Sequence, residues 1–185
     1  MAMLAPRFIR IMFCVVAASI FFATAKAASA QADATAGGGG KYIAVGAGGA
    51  FFNSNYGQRW VSGYSIYADV NRDHRYGAEF RAQSLRFNQE QGIRETSYLL
   101  GPRMSFPHNK WVPYARVLLG GGIFNAPYNY AEGSYFVVAP GGGVDYVRGR
   151  FRYRIADVEY QAWPNFTFGE LHPWGYNTGI SIRIR

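Results

Sequence analysis

From residue 41 to residue 185 apolar and polar side chains take turns along the chain, in eight segments separated by turn-forming residues. A period of two belongs to a pleated strand, whose successive side chains point to opposite faces. The segments predict strands over Lys41–Asn53, Gln58–Val70, Arg75–Phe87, Arg94–Phe106, Trp111–Phe124, Ser134–Val147, Phe151–Trp163 and Pro173–Ile184. In the second, Trp60, Tyr64, Ile66, Ala68 and Val70 share one face, with Arg59, Ser65 and Asp69 on the other. The fourth sets Thr96, Tyr98, Leu100, Pro102, Met104 and Phe106 against Glu95, Ser97, Gly101, Arg103 and Ser105. The first is rich in Gly and Ala and has no clear polar face. The seventh changes phase near Ala156, so that Arg152 and Arg154 lie on one face and Asp157, Glu159 and Gln161 on the other; a β-bulge there would unite the two halves.

The connections alternate in length. Asn71 to His74, Pro107 to Lys110 and Arg148 to Arg150 are short, whereas Asn125 to Gly133 and Pro164 to His172 are long. Short turns on one side and long loops on the other, with no long apolar run after the leader, predict an all-β fold. The expected architecture is an eight-stranded antiparallel up-and-down transmembrane β-barrel of a bacterial outer membrane, with the short turns in the periplasm.

Residues 1–30 read as a cleavable secretory signal: Arg7 and Arg10 precede an apolar stretch from Ile11 to Ala25, and Ala28-Ser29-Ala30 has the small residues of a cleavage site. The stretch is shorter than the roughly 20 apolar residues of a membrane-spanning helix. Residues 31–40, with four successive glycines, form a flexible lead-in, and the barrel occupies 41–185. Cys14, the single cysteine, leaves with the signal, so the exported chain has neither disulfide nor thiolate chemistry.

Charge changes the picture once the leader is set aside. Nineteen basic residues less Arg7, Arg10 and Lys26 leave 16 against 11 acidic, a net +5. Sixteen of the nineteen are Arg, the residue suited to burial against carboxylates with several fixed hydrogen bonds. This argues against a nucleic-acid partner, because an exported strand-rich chain with Arg on its polar faces uses its basic residues internally.

Alternation alone does not say which face is inside, and a soluble lipocalin-like barrel with its apolar face inward competes. Three features favour apolar outward. Aromatics gather near strand ends (Tyr42, Phe51, Phe52, Trp60, Tyr76, Phe87, Phe106, Trp111, Phe124, Tyr146, Phe151, Trp163, Trp174), where interfacial girdles lie. The polar faces mix Gly and Ser with Glu, Arg and Gln, and Lys is nearly absent. With that orientation Glu79, Arg81, Gln83, Glu95, Arg103, Arg116, Asp145, Asp157 and Glu159 converge on the interior, with Glu79 and Arg103 as cross-strand neighbours. The group reads either as a gated pore or proton path, or as a structural plug. The narrow lumen of eight strands favours the plug, since charges buried there must pair.

Chemistry is otherwise thin. His74 and His108 fall in short turns, and no Ser adjoins a His on any strand, so catalysis at the rim is not expected. Three scattered His without Cys match no metal-ligand spacing, and no cofactor is expected. No helix follows the Gly runs, which rules out a phosphate cradle. The long loops offer Tyr128, Asn129, Tyr130, Phe166, Phe168, Glu170 and His172, side chains of a recognition surface for an extracellular ligand or of the wet edge of an aromatic girdle.

The runs Gly141-Gly-Gly-Val-Asp-Tyr146, Phe151-Arg-Tyr-Arg-Ile-Ala-Asp-Val-Glu-Tyr-Gln161 and Pro113-Tyr-Ala-Arg-Val-Leu-Leu-Gly-Gly-Gly122 resemble strands of small outer-membrane β-barrel proteins of the OmpA-like and OmpX-like type. The resemblance covers most of 41–185 as a style of strand. It implies both termini in the periplasm, contact with outer-membrane lipids, and insertion by the barrel assembly machinery with periplasmic chaperones. It further implies a non-enzymatic structural or surface-interaction role, with a narrow solute channel and a lipid-modifying enzyme as alternatives. The chain departs from that pattern in ending Ile184-Arg185, where such proteins end in an aromatic, and in showing no peptidoglycan-binding segment.

Overall fold

A computed structural model describes residues 40–55, 60–86, 94–125, 132–164, 166 and 171–184. The eight strands are β1 (Tyr42–Asn53), β2 (Trp60–Asn71), β3 (Tyr76–Arg86), β4 (Arg94–Ser105), β5 (Trp111–Asn125), β6 (Glu132–Arg148), β7 (Phe151–Tyr160) and β8 (Trp174–Arg183). Each pairs antiparallel with its sequence neighbour, and β8 returns to β1 from Ala44↔Arg183 to Asn53↔Trp174, closing the barrel. Closure leaves no sheet edge unpaired, which a strand protein needs in lipid. At 10 to 17 residues each, the strands are long enough to cross a bilayer with tilt.

The short turns are built from local chemistry. Gly149 and Arg150 join β6 to β7 across the Arg148↔Phe151 pair, and Gly149 takes φ +62° while Arg150 stays negative. A positive φ at the first of two turn residues is the II′ hairpin, which glycine permits without Cβ strain. Asn109 adopts φ +52° in the turn before β5, where His108 and Trp111 exchange backbone hydrogen bonds.

The phase change in the seventh strand is a bulge. Register slips between Arg154 and Asp157, and Ile155 and Ala156 both face outward. Arg152 and Arg154 therefore join Asp157 and Glu159 inside. β7 ends at Tyr160 rather than Trp163, and Ala162 and Trp163 continue only as bridges to Val138 and Leu171.

The outer face is mainly apolar: Tyr64, Ile66, Tyr98, Leu100, Phe136, Val158 and Ile180 are each at least half exposed. So large an exposed apolar band is a liability in water and the natural surface in lipid. Aromatics collect at both of its ends. Trp60 meets Trp174 at 5.4 Å and Phe51 meets Tyr176 at 5.4 Å near the long-loop end, while Trp111 meets Tyr146 at 5.0 Å near the short turns. Four residues expected in these girdles are instead inside: Tyr42, Phe52, Phe124 and Trp163 are buried on the inward face. Strand parity decides this, since Phe51 and Phe52 are adjacent and must point oppositely.

Candidate functional site

The interior is built in layers. At the long-loop end Leu99, Leu118, Phe124, Val137, Ala139, Trp163, Phe166 and Leu171 form an apolar cluster, and Ala50, Phe52, Val61 and Leu85 form a second against β1 to β3. Trp163 packs against Gly122, where an added Cβ would fall only 2.2 Å from the indole Cη2. Its Nε1 donates to Gln161 Oε1 at 3.0 Å, and Gln161 Nε2 donates to Glu159 Oε1 at 2.8 Å, linking the apolar layer to the charges beneath.

Five arginines and five carboxylates make up the charged layer: Arg81, Arg103, Arg116, Arg152 and Arg154 with Asp69, Glu79, Asp145, Asp157 and Glu159, all buried. Glu79 is the hub. It accepts from Arg81 at 2.8 Å, from Arg103 at 3.1 Å and from both terminal nitrogens of Arg154 at 3.1 Å. Arg81 and Arg116 each bridge Asp157 and Glu159, at 2.6 and 2.8 Å and at 2.7 and 2.6 Å respectively. Arg103 joins Asp145 at 2.6 Å and approaches Asp69 to 2.8 Å, and Arg152 reaches Asp145 at 3.2 Å. A planar guanidinium presents five donors in a fixed fork, so each can satisfy carboxylates from several strands.

Tyrosines separate the cations. The Tyr114 ring sits 3.8 Å from the Arg103 guanidinium carbon, Tyr67 sits 3.9 Å from that of Arg154, and Tyr42 lies between Arg152 at 4.5 Å and Arg183 at 4.9 Å near the short-turn end. Ring faces attract cations and replace part of their lost hydration. The small residues of β1 now have a reason: Gly46 leaves room for the Tyr67 ring.

Most of the charged residues read from sequence meet here, with Glu79 and Arg103 bonded diagonally across β3 and β4. Glu95 does not. It is buried inside the long-loop end, opposite Leu85 and Phe124, and neither carboxylate oxygen has a hydrogen-bond partner among the described residues. Its position two strand residues beyond Ser97 lifts it above the arginines, into the apolar layer. Gln83 also stands apart, with both amide atoms lacking a hydrogen-bond partner among the described residues. Three members escaped the sequence expectation. Asp69 was visible on the polar face of β2, while Arg152 and Arg154 depended on the bulge.

The expected recognition loop is corrected at one position. Phe166 is not a surface residue: it packs edge-on against Phe124 at 5.0 Å inside the apolar cluster, where its ring is removed from water. His172 is half-buried and stacks on Tyr160 at 5.7 Å. Tyr128, Asn129, Tyr130, Phe168 and Glu170 lie outside the described residues, as do residues 1–39. Among the described residues no group of His, Cys, Asp and Glu is arranged to hold a metal ion.

No protein-family model matches the chain, and no curated protein matches it in sequence. Solved structures do match its fold. Neisserial surface protein A is 13% identical with a TM-score of 0.62, covering 76% of this chain and 95% of that one. The outer-membrane protein OprG of Pseudomonas aeruginosa is 10% identical at 0.58, covering 80% and 98%. The N-terminal β-barrel domain of OprF from the same organism is 16% identical at 0.51, covering 79% and 99%. The chain thus has the fold of the small OmpA-like and OmpX-like barrels.

Proposed function

We propose that a chain with this fold is an integral protein of the bacterial outer membrane, with a structural or surface-interaction role and an interior closed by its own charges. The observation that carries the reading is the inversion of the usual soluble arrangement: Ile, Leu, Val and aromatic side chains cover the outside, and ten ion-paired side chains fill the inside. In water this would expose the apolar band and bury charge at a desolvation cost of several kcal/mol per ion. In a bilayer the apolar band is solvated by acyl chains, and the charges have nowhere to go but the lumen.

Stoichiometry supports the closed interior. Each network carboxylate touches at least two guanidiniums, and the five positive and five negative charges balance. A hydrated ion entering the lumen must separate pairs held at 2.6 to 2.8 Å and then displace the apolar layer above them. Sec export, cleavage near Ala30 and delivery by chaperones to the assembly machinery complete the proposal.

Two measurements test it. Protein isolated with outer membranes is expected to migrate differently on gels before and after boiling; identical migration would refute the membrane barrel. Reconstituted into planar bilayers, it is expected to give no stepwise conductance, and reproducible steps would replace the closed interior with the narrow-channel alternative.

A further inference from the structure

The described turns at one end of the barrel carry an unusual concentration of positive charge. Lys41 at the start of β1, Arg72 and Arg75 between β2 and β3, Lys110 before β5, and Arg148 and Arg150 around the β6–β7 turn are all exposed. Asp73 is the one carboxylate among them, so these six cations and one anion carry a net charge of +5. That equals the net charge of residues 31–185 as a whole, since the interior and the rest of the chain cancel. The opposite end, by sequence, balances Arg59, Arg86 and Arg94 against Glu90, Glu132 and Glu170.

Position matters as much as number. The strand ends beneath these cations bear the outward aromatics Tyr76, Phe106, Trp111 and Phe151, each between 42% and 48% exposed, the level at which aromatic rings meet lipid headgroups. The connecting turns span 72–75, 106–110 and 149–150. Turns that short rise no more than about 9 Å before returning, so their cations stay at headgroup depth. The cations also occur at every turn of this end rather than on one side. A folded partner would contact one sector, whereas lipid surrounds the whole circumference.

We propose that this rim is a binding surface for anionic phospholipids of the adjoining leaflet, recognised through their phosphodiester groups. The proposal rests on the membrane-barrel reading and deepens it. Each cation near an anionic surface favours binding by about a factor of five, and the gain is screened within about 10 Å at 0.1 M salt. The barrel is therefore expected to gather anionic lipid at its short-turn end, which also fixes that end against the leaflet during insertion.

The test uses the exported chain folded into vesicles of zwitterionic phosphatidylcholine mixed with brominated phosphatidylglycerol, with tryptophan quenching as the readout. Because both leaflets have one composition, either orientation of the barrel reports equally. Quenching is expected to exceed that with brominated phosphatidylcholine at the same fraction, corresponding to at least a threefold enrichment of anionic lipid beside the barrel, and to fall in 0.5 M salt. A variant with Arg72, Arg75, Lys110, Arg148 and Arg150 each changed to Gln is expected to lose the enrichment while keeping its heat-modifiable migration. No enrichment in the unaltered chain, or equal enrichment in the variant, overturns the proposal. So does rim-dependent capture of heparin, a soluble polyanion, without lipid enrichment, which would point to a soluble acidic partner. Should the variant fail to fold, the salt dependence of the unaltered chain still decides. Failure of the membrane reading looks different: the chain then inserts into neither lipid.

Discussion

Replacing Glu79 with Gln removes one charge from the centre of the lumen while keeping the side chain's shape. Glu79 accepts four hydrogen bonds from Arg81, Arg103 and Arg154. The Gln carbonyl retains two of them; the amide turns donor atoms toward guanidiniums that have none to accept. Losing two charge-assisted bonds at about 1.5–3 kcal/mol each gives about 3–6 kcal/mol, in line with the roughly 3–5 kcal/mol for removing one member of a buried ion pair. Five arginines would then face four carboxylates. A second substitution, Arg154→Gln, restores the balance, so the double variant is expected to be more stable than the sum of the two single losses by about 1–3 kcal/mol. Glu95→Gln is the internal control: this carboxylate is as buried as Glu79 but faces Leu85 and Phe124 instead of arginines. Its neutralisation is expected to leave stability unchanged or to raise it. Reversible urea unfolding in phospholipid vesicles, followed by gel mobility, measures all four proteins. A loss below about 1 kcal/mol for Glu79→Gln, or strict additivity with Arg154→Gln, would refute the view that charge pairing holds the lumen together.

Arg103→Ala leaves Glu79, Asp69 and Asp145 short of a cation and is expected to lower the unfolding temperature in vesicles; an unchanged midpoint counts against the pairing. Gly122→Ala pushes a methyl into the Trp163 indole, with an overpacking cost of about 1–3 kcal/mol, and in a chain whose other three tryptophans are Phe the emission of Trp163 should shift to the red. Leu100→Arg places a cation on the outward face, where Leu100 is 58% exposed, and should cost about 2–4 kcal/mol in a bilayer. A neutral result there would contradict a lipid-facing surface. Deleting Ala156 removes the extra residue of the bulge and leaves Arg152, Arg154, Asp157 and Glu159 on one face in strict alternation, so the shortened chain is expected to fold, as read by retained heat-modifiable migration; its loss would contradict the bulge.

How much the sequence foretold depended on how local each feature is. All eight strands and the three short turns were legible because a period of two and turn chemistry are properties of neighbouring residues. The phase change near Ala156 was legible as well, since a bulge breaks parity within one strand. Glu79, Arg81, Arg103 and Arg116 could be assigned to one face for the same reason. Their meeting at the hub could not, because Arg154 reaches Glu79 across 75 residues of chain. Parity also separates two features that composition merges. Phe51 faces outward and Phe52 inward, so the aromatics at strand ends divide between the girdle and the apolar layer of the interior.

The alternating pattern by itself determined strand number, turn sides and which residues share a face, because the pleat fixes these within each strand. It did not determine which face encloses the core, since a barrel with its apolar side inward obeys the same alternation. The assembled interior decided that: it gathers Arg81, Arg103 and Arg154, from β3, β4 and β7, around the Glu79 carboxylate, and the apolar residues of the same strands lie outside. The tertiary structure also decided that Glu95 lies apart from the described arginines and that Phe166 is core, because height along the barrel axis is set by cross-strand register and the Phe166 contact with Phe124 joins residues distant in sequence.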